Sequence, residues 1–440
     1  MVSSNINKEI EFSFAKEKVT PKTELRLRLG GYMHRLGLHA RGIHDDLYIR
    51  MLRITSSSND VVLLQLDLLG LYKDDVQKLR KAVSSVTGIK ADNVVVATTH
   101  THSAPETVIP MWPNTLPYTQ EELSDYRMWF SSVVETVHVL SEKLNETSKA
   151  SLYISYTTIS DICYNRAFPN EPFDDETPIL LLKGDRNRVV VYAAPCHPVC
   201  NMDLGYSADY HGYVAKALQK LNIDVIPLTG PAGNVDPLRK GLDYAMSMGR
   251  TIADKMVSAL NTSVGDIEGD VNIVTHYVTI PLRSADLNES KNKFERAYKE
   301  FSSLFFAERV KGVPDPKYFT LFEPLLYADQ EYEVAKIGKT FDVIELQLVT
   351  IGNRFLFIAI PGEYMSESSI DLKLYLRSKG FKHVMISTYT NGYIGYLPTK
   401  KYFSFNRYEA RLALWSRATQ DAETIVNNTI KNIFSSKQFI

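Results

Sequence analysis

The 440-residue chain sets 50 Lys and Arg against 51 Asp and Glu, is 44% hydrophobic and holds only three cysteines. That length and apolar fraction support a well-buried core of one large domain or two ordinary ones and exclude long disorder, and a net charge of -1 supplies no general basic face for nucleic acid. Cys163, Cys196 and Cys200 are too few for a disulfide framework, and no run approaches the ~20 apolar residues of a membrane span.

The opening, MVSSNINKEIEFSFAKEKVT, has no apolar stretch of signal-peptide length, so the chain reads as a cytoplasmic globular protein. Its Asn-x-Ser/Thr sites at Asn145, Asn261, Asn288 and Asn427 then carry little meaning. The clearest unit lies at 61–99. VVLLQLD predicts a buried strand ending at Asp67, DDVQKLRKAVSSVTG a helix with Asp74 as N-cap and Gly88 as its stop, and NVVVAT a second buried strand. Strand, helix and strand with short links predict a βαβ unit with parallel strands, which puts Asp67 and His100 at the same edge, where ligand sites of α/β sheets gather. Residues 121–144 carry a helical stripe from Leu123 to Leu144. RVVVYAAP predicts a strand running into CHPVC, ADYHGYVAKALQKL a helix, and DVIPLTG a strand running into PAGNVDP, with a helix from about 241. FDVIELQLVTI and RFLFIAI predict a strand pair followed by PGE, then a helix near 365–378, the strand HVMISTYT and a helical tail over 407–434. Residues 301–331 are rich in aromatics and prolines and weakly periodic, consistent either with a flap over a site or with ordinary core. The recurring units predict an α/β fold of mixed, twisted sheets flanked by helices.

Four strands end in residues that bind metals or move protons: THTHS at 99–103, CHP at 196–198, PGE at 361–363 and NGYIGY at 391–396. Residues two apart in an extended segment share a side, so His100 and His102 are expected to face one pocket. They are expected to stand too close to share one tetrahedral ion, which suggests one ligand and one acid–base group. Zinc accepts imidazole and carboxylate and leaves a position for water in catalytic sites.

THTHSAP, CHP with SADYHGY downstream, PGE, and NGYIGYLPT followed by NRYEA together resemble the neutral/alkaline ceramidase family, zinc-dependent amidases of the N-acyl bond of ceramide. LGGYMHRLGLHARGIHDDLYIRMLRI and LDLLG are similar to the family's opening and first buried strand, and the resemblance runs from about residue 20 to 430. The resemblance implies one zinc ion on His100, His197, Glu363 and Tyr396, with Tyr393 a rival for the tyrosine position. It implies that His102 contacts substrate and shuttles the proton, and that Arg166 in YNRAF stabilises the oxyanion together with Tyr408. Because the implied ligands span 100 to 396, residues 1–440 are expected to form one catalytic domain with its core at about 20–434, without the C-terminal immunoglobulin-like domain of the long secreted ceramidases.

Bland roles stand beside these. Arg166 fits a structural ion pair, Tyr408 a core position on a helix, and Glu363 a helix cap. Asp67 and Asp209 fit either carboxylates behind ligating imidazoles or buried caps. His39, His44 and His211 read as structural, and Cys196 and Cys200 as small buried residues. SAP in place of SGP and Asn234 in GNVDP depart from the family pattern. The expected activity is zinc-dependent hydrolysis of an N-acyl amide, ceramide or a related lipid amide. The alternative is a zinc amidase or esterase acting on a small non-lipid substrate. No nucleic-acid partner is expected. A two-metal phosphoesterase would need Asp-x-His and GNHE-like motifs that the chain lacks, and a binding protein without turnover would need an acid–base or oxyanion position left empty.

Overall fold

A computed structural model describes residues 9–262 and 266–435. Its larger sheet uses β1 (Ile10–Lys18), β2 (Tyr48–Thr55), β3 (Asp60–Leu66), β4 (Val94–Thr98), β5 (Ser148–Thr158), β6 (Glu176–Lys183), β7 (Arg188–Ala194) and β8 (Asp224–Thr229). Their spatial order is β8-β7-β6-β5-β1-β2-β3-β4, with the two-residue strand Asp266–Ile267 on β5. The pairs β7/β8 and β3/β4 are parallel and the others antiparallel, so the sheet is mixed. A second sheet has the order β9 (Val271–Pro281), β10 (Phe341–Ile351), β11 (Phe355–Ala359) and β12 (His383–Ser387), parallel only between β11 and β12.

The two sheets pack face to face because their central strands are apolar on both sides. In β3 the two-residue period sends Val61 and Leu63 into the layer between the sheets, against Phe355, Phe357 and Met385. It sends Val62, Leu64 and Leu66 to the opposite face. That face is covered by α1 (Lys73–Thr87) and α2 (Gln120–Glu142) through Val76, Leu79, Phe130, Val133 and Val137. Further along the same sheet, α3 (Asp209–Gln219) and α4 (Leu242–Asn261) cover β7 and β8 through Val214, Leu218, Met248 and Ile252. Helices α8 (Ser366–Ser378) and α9 (Ala422–Ile433) cover the outer face of the second sheet through Leu372, Leu376, Val426 and Ile430. The result is helices, sheet, sheet, helices, as the alternating units predict. Among the described residues no helix is long and apolar enough to cross a membrane.

The predicted βαβ unit is present with β3 and β4 parallel, and Gly88 closes α1 in the left-handed region at φ 71°. Asp74 is not the N-cap: Tyr72 holds that position, and Asp74 is the second residue of the first turn, where its charge favours the positive end of the helix. Helix α2 starts with a capping box, the Thr119 side chain accepting from the Glu122 N–H while the Glu122 carboxylate accepts from that of Thr119. The tail is helical only over Ala422–Ile433; residues 408–410 form a single 3₁₀ turn, and Tyr408 lies on it rather than on a long helix. The stretch 301–331 is helical, with α5 (Leu287–Lys311), α6 (Tyr318–Leu321) and α7 (Glu323–Ile337) packing Phe305, Tyr318, Phe322, Leu325 and Leu326 into one cluster. Its periodicity is weak because α7 buries Leu325, Leu326, Tyr327, Gln330 and Val334 on more than one face.

A loop from the second sheet fastens the two sheets together beside β4. Asn391, at φ 63°, donates its N–H to Val96 O at 2.7 Å and accepts from Val96 N at 2.9 Å through its side-chain oxygen. Thr98 N donates to Tyr389 O at 3.2 Å. This seam brings the loop after β12 to the carboxyl ends of β4 and β7.

Candidate metal centre

Beyond β4 the chain keeps the ladder for two residues, Thr99 N donating to Leu66 O at 3.1 Å and His100 N to Leu68 O at 2.9 Å. His100 then turns the chain at φ 63°. The two histidines of the motif do face one pocket, but this left-handed residue, not strand alternation, points them there. The His100 ring stacks on Tyr389, with centroids 3.8 Å apart and planes 10° apart, and Nδ1 lies 2.6 Å from Leu69 O. His197, after β7, has its N–H on Val235 O at 2.9 Å and its Nδ1 3.3 Å from the same oxygen. Glu363 and Tyr396 are register partners in a two-residue parallel pair, so their side chains rise together on one side.

His102 has no Cβ neighbour at Gly31, whose φ is 84°; a methyl group there would lie 2.4 Å from the His102 ring. Behind the same histidine, the fully buried Arg35 donates to the carbonyls of His102, Gly30 at 3.2 Å and Asn201 at 3.3 Å. Neither support carries a recognisable sequence signal beyond the GGYMHR run itself.

The nitrogens and the carboxylate converge. His102 Nε2 is 3.3 Å from His100 Nε2, and His197 Nε2 is 2.9 Å from Glu363 Oε2, which stands 3.8 Å from His100 Nε2. The ligand atoms of His100, His102 and His197 all lie within 4.8 Å of one another. Two imidazoles sharing a tetrahedral zinc at ~2.0–2.1 Å bonds stand about 3.3 Å apart, so His100 and His102 are not too close to share an ion. That expectation fails because the rings meet nearly edge to face, at 80°, with both Nε2 atoms turned inward.

The hydrogen bonding tests whether a cation fits. His100 and His197 each face a backbone carbonyl with Nδ1, at 2.6 and 3.3 Å, and in the tautomer protonated there the Nε2 lone pairs point inward. In that tautomer a carboxylate oxygen facing the lone pairs is repulsive unless a cation lies between them, whereas a proton on His197 Nε2 makes the 2.9 Å contact to Glu363 a hydrogen bond. Burial holds His100 down to about 3, against the pull of Glu363, so that imidazole is neutral at physiological pH. Burial likewise pushes His102 well below the usual range, with the neighbouring imidazoles and Arg35 adding to it, and its buried Nδ1 has no partner. The donor set, imidazole nitrogens with a carboxylate, fits zinc. The three buried, free cysteines take no part in it.

Three tyrosines surround Glu363. Tyr393 donates to Oε1 at 2.5 Å, Tyr389 lies 3.5 Å from Oε2 and from His197 Nε2, and Tyr396 stands beside it in register. Tyr389 was not anticipated from sequence; only its place two residues before NGY hinted at it.

Arg166 is brought to the same place as an ion-pair centre. It donates to Glu409 at 3.0 Å, Asp236 at 2.9 Å, Gly233 O at 3.0 Å and the Tyr396 hydroxyl at 2.7 Å. Despite burial, the Tyr396, Asp236 and Glu409 groups keep its charge firmly in place. The structural reading of Arg166 therefore holds, and the residue still opens onto the site. Tyr408 is half exposed, its ring 5.8 Å from that of Tyr396 and 5.5 Å from the Arg166 guanidinium carbon. A cavity of about 540 Å³ opens here, lined by His102, Arg166, Tyr396 and Tyr408 together with Met33, Met111, Phe319 and Leu326. Helices α6 and α7 thus form one wall of the site.

The remaining candidates lie outside it. Asp67 accepts from Arg50 at 2.8 Å, Tyr48 N at 2.9 Å and Gln65 at 3.0 Å, and Asp209 accepts from Asn201 N at 2.8 Å, so neither orients a ligating imidazole. Their place at strand and helix ends misled, because such ends also need caps. His211 is held by Tyr192 at 2.7 Å and Thr229 at 3.0 Å, His39 by Glu122 at 2.7 Å and His44 by Asp203 at 2.8 Å, all structural.

Solved structures share this arrangement of layers. A neutral ceramidase from Pseudomonas aeruginosa superposes with a TM-score of 0.73 at 15% identity, covering 97% of this chain and 74% of that one. The chain has the neutral ceramidase fold. A ceramidase complexed with C2 matches with a TM-score of 0.71, the same identity and the same coverage. No protein-family model matches the sequence, and no curated protein matches it. Within the ceramidase fold the converging groups come from positions 100 to 396, from loops of both sheets.

Proposed function

We propose that this protein is a zinc-dependent hydrolase that cleaves an N-acyl amide. The observation that carries the reading is the convergence of imidazole nitrogens on the Glu363 carboxylate at the end of a cavity. His100, His197, Glu363 and Tyr396 would hold the ion, and the ceramidase fold supports that assignment. When bound, zinc supplies a Lewis acid beside the scissile carbonyl and lowers the pKa of a water toward neutrality. Arg166 holds the Tyr396 hydroxyl in place, and Tyr408 at the cavity wall donates to the carbonyl oxygen as negative charge develops there, with the Arg166 charge behind it. Neutral His102 takes up the proton of the attacking water at Nε2 and passes it to the leaving nitrogen. An amine needs that proton more than an alkoxide does, which makes His102 most important for an amide.

The alternative substrate is a small non-lipid N-acyl compound or ester. The cavity wall favours it to this extent: Asp236, Lys240, Glu323 and Arg407 are interleaved with the apolar lining. Turnover of a short-chain fluorescent ceramide in detergent micelles by zinc-loaded protein, with His100→Ala as control, tests the reading. Fatty acid release lost in the variant supports a lipid amidase using this site. A folded protein holding stoichiometric zinc without release rejects ceramide and moves the assay to small amides and esters. A protein that binds no zinc rejects the whole reading.

A further inference from the structure

Three cations, Arg166, Lys240 and Arg407, and three carboxylates, Asp236, Glu323 and Glu409, line the cavity, but Glu323 is bound by Arg411 from outside the lining, which leaves Arg407 without a carboxylate. Asp236 is paired with Arg166 at 2.9 Å and Lys240 at 3.0 Å, Glu409 with Arg166 at 3.0 Å, and Glu323 with Arg411. Arg407 also lines the cavity and makes no ion pair among the described residues. Its guanidinium carbon lies 4.8 Å from the centre of the Phe168 ring, and its buried Nε has no hydrogen-bond partner. The other side of the balance is no more acidic: Lys401, also against Phe168 at 4.0 Å, is matched by Glu171. A guanidinium beside an aromatic wall and without a carboxylate is an oxyanion receptor, since its planar fork meets two oxygens at once.

We propose that the substrate of this site carries an oxyanion, a carboxylate or a phosphate monoester, bound by Arg407. The inference rests on the amide-hydrolase reading and deepens it. The anion belongs to the amine half, because Met33, Met111, Phe319 and Leu326 offer the acyl chain an apolar wall. The adjacent Tyr408 would then lie next to the scissile bond while Arg407, one residue earlier, holds the end of the amine half. Arg407 is a specificity residue in this account.

The test uses the full chain loaded with zinc and three probes sharing one acyl chain: N-octanoylglycine, N-octanoyl-phosphoethanolamine and neutral N-octanoylethanolamine. Turnover and calorimetric binding are measured for the wild type, Arg407→Gln, Arg407→Lys and a charge control on the exposed Lys299, Lys299→Gln. The expected result is that at least one anionic probe exceeds the neutral one in kcat/KM by tenfold or more. That ratio falls to near one in Arg407→Gln, is partly retained in Arg407→Lys and is unchanged in Lys299→Gln. A carboxylate source and a phosphate source are told apart by which anionic probe carries the preference. Equal kcat/KM for all three probes, or an equal loss on all three in Arg407→Gln, overturns the inference while leaving the hydrolase standing. If no probe turns over, binding decides: an anion preference dependent on Arg407 keeps the inference and rejects the amidase reading, and binding without it rejects both.

Discussion

At the residue scale the site is a matter of protons. The rings of His100 and His197 each meet a carbonyl on their far side, and the Glu363 carboxylate is fixed by Tyr393, so the Nε2 atoms and Oε2 face one another. Glu363→Gln keeps the shape and removes the charge. Its zinc affinity is expected to fall by at least a hundredfold, measured by competition with a chromophoric chelator. Tyr396→Phe is expected to weaken zinc by a further direct route and Tyr393→Phe only through the carboxylate, so the first should lose about tenfold more affinity than the second. A second buried carboxyl titrates on its own. Burial pushes Glu106 up to about 7, although Tyr118 at 2.7 Å and Met111 N at 3.3 Å donate to it. A folded pKa raised above the unfolded value means that its contribution is fully present below about pH 4.5 and is lost as pH rises through 7. Between pH 5 and 8 the wild type should therefore lose about 2–3 kcal/mol relative to Glu106→Gln in urea titrations.

At the scale of single elements, the site depends on how segments end. Gly31 lies in the left-handed region, and a Cβ there would strike the His102 ring at 2.4 Å. Gly31→Ala is expected to destabilise the fold by about 1–3 kcal/mol and to displace His102, read as a loss of kcat larger than the loss of stability explains. Away from the site, Thr119→Ala breaks the capping box of α2 and should lower stability by ~1 kcal/mol without changing zinc content. Elements with one apolar stripe, such as α1 and α2, were readable from periodicity. The helices at 287–337 were not, because α7 is buried on several faces and its apolar residues follow no single stripe. The 407–421 segment read as helix from composition, yet its backbone is bound to other segments, as in Arg283 N to Arg417 O at 2.6 Å and Tyr396 N to Trp415 O at 2.8 Å.

At the scale of the molecule, one loop both joins the two sheets and supplies tyrosines to the candidate metal site. Asn391 carries the seam between them, accepting from Val96 N at 2.9 Å and donating to Gln347 at 2.8 Å, and its loop bears Tyr389, Tyr393 and Tyr396. Asn391→Ala is expected to cost about 2–3 kcal/mol and to weaken zinc as well, because the tyrosines lose their anchor. Stripping zinc with a chelator should lower Tm, since an ion present at about a thousand times its Kd adds ~4 kcal/mol to the folded state. The sequence by itself determined the alternation of strands and helices, their order and the four strand ends rich in ligands, because hydrophobic period and turn chemistry are local. Only the tertiary structure decided that His102 Nε2 stands 3.3 Å from His100 Nε2, that Tyr389 lies beside Glu363 and His197, that Asp67 and Asp209 do not, and that Arg166 spends its donors on Asp236, Glu409 and Tyr396. Those outcomes depend on backbone turns and on which side chains the fold brings together, from Asn201 beside Asp209 to Tyr389 beside His197, which hydrophobic period does not encode.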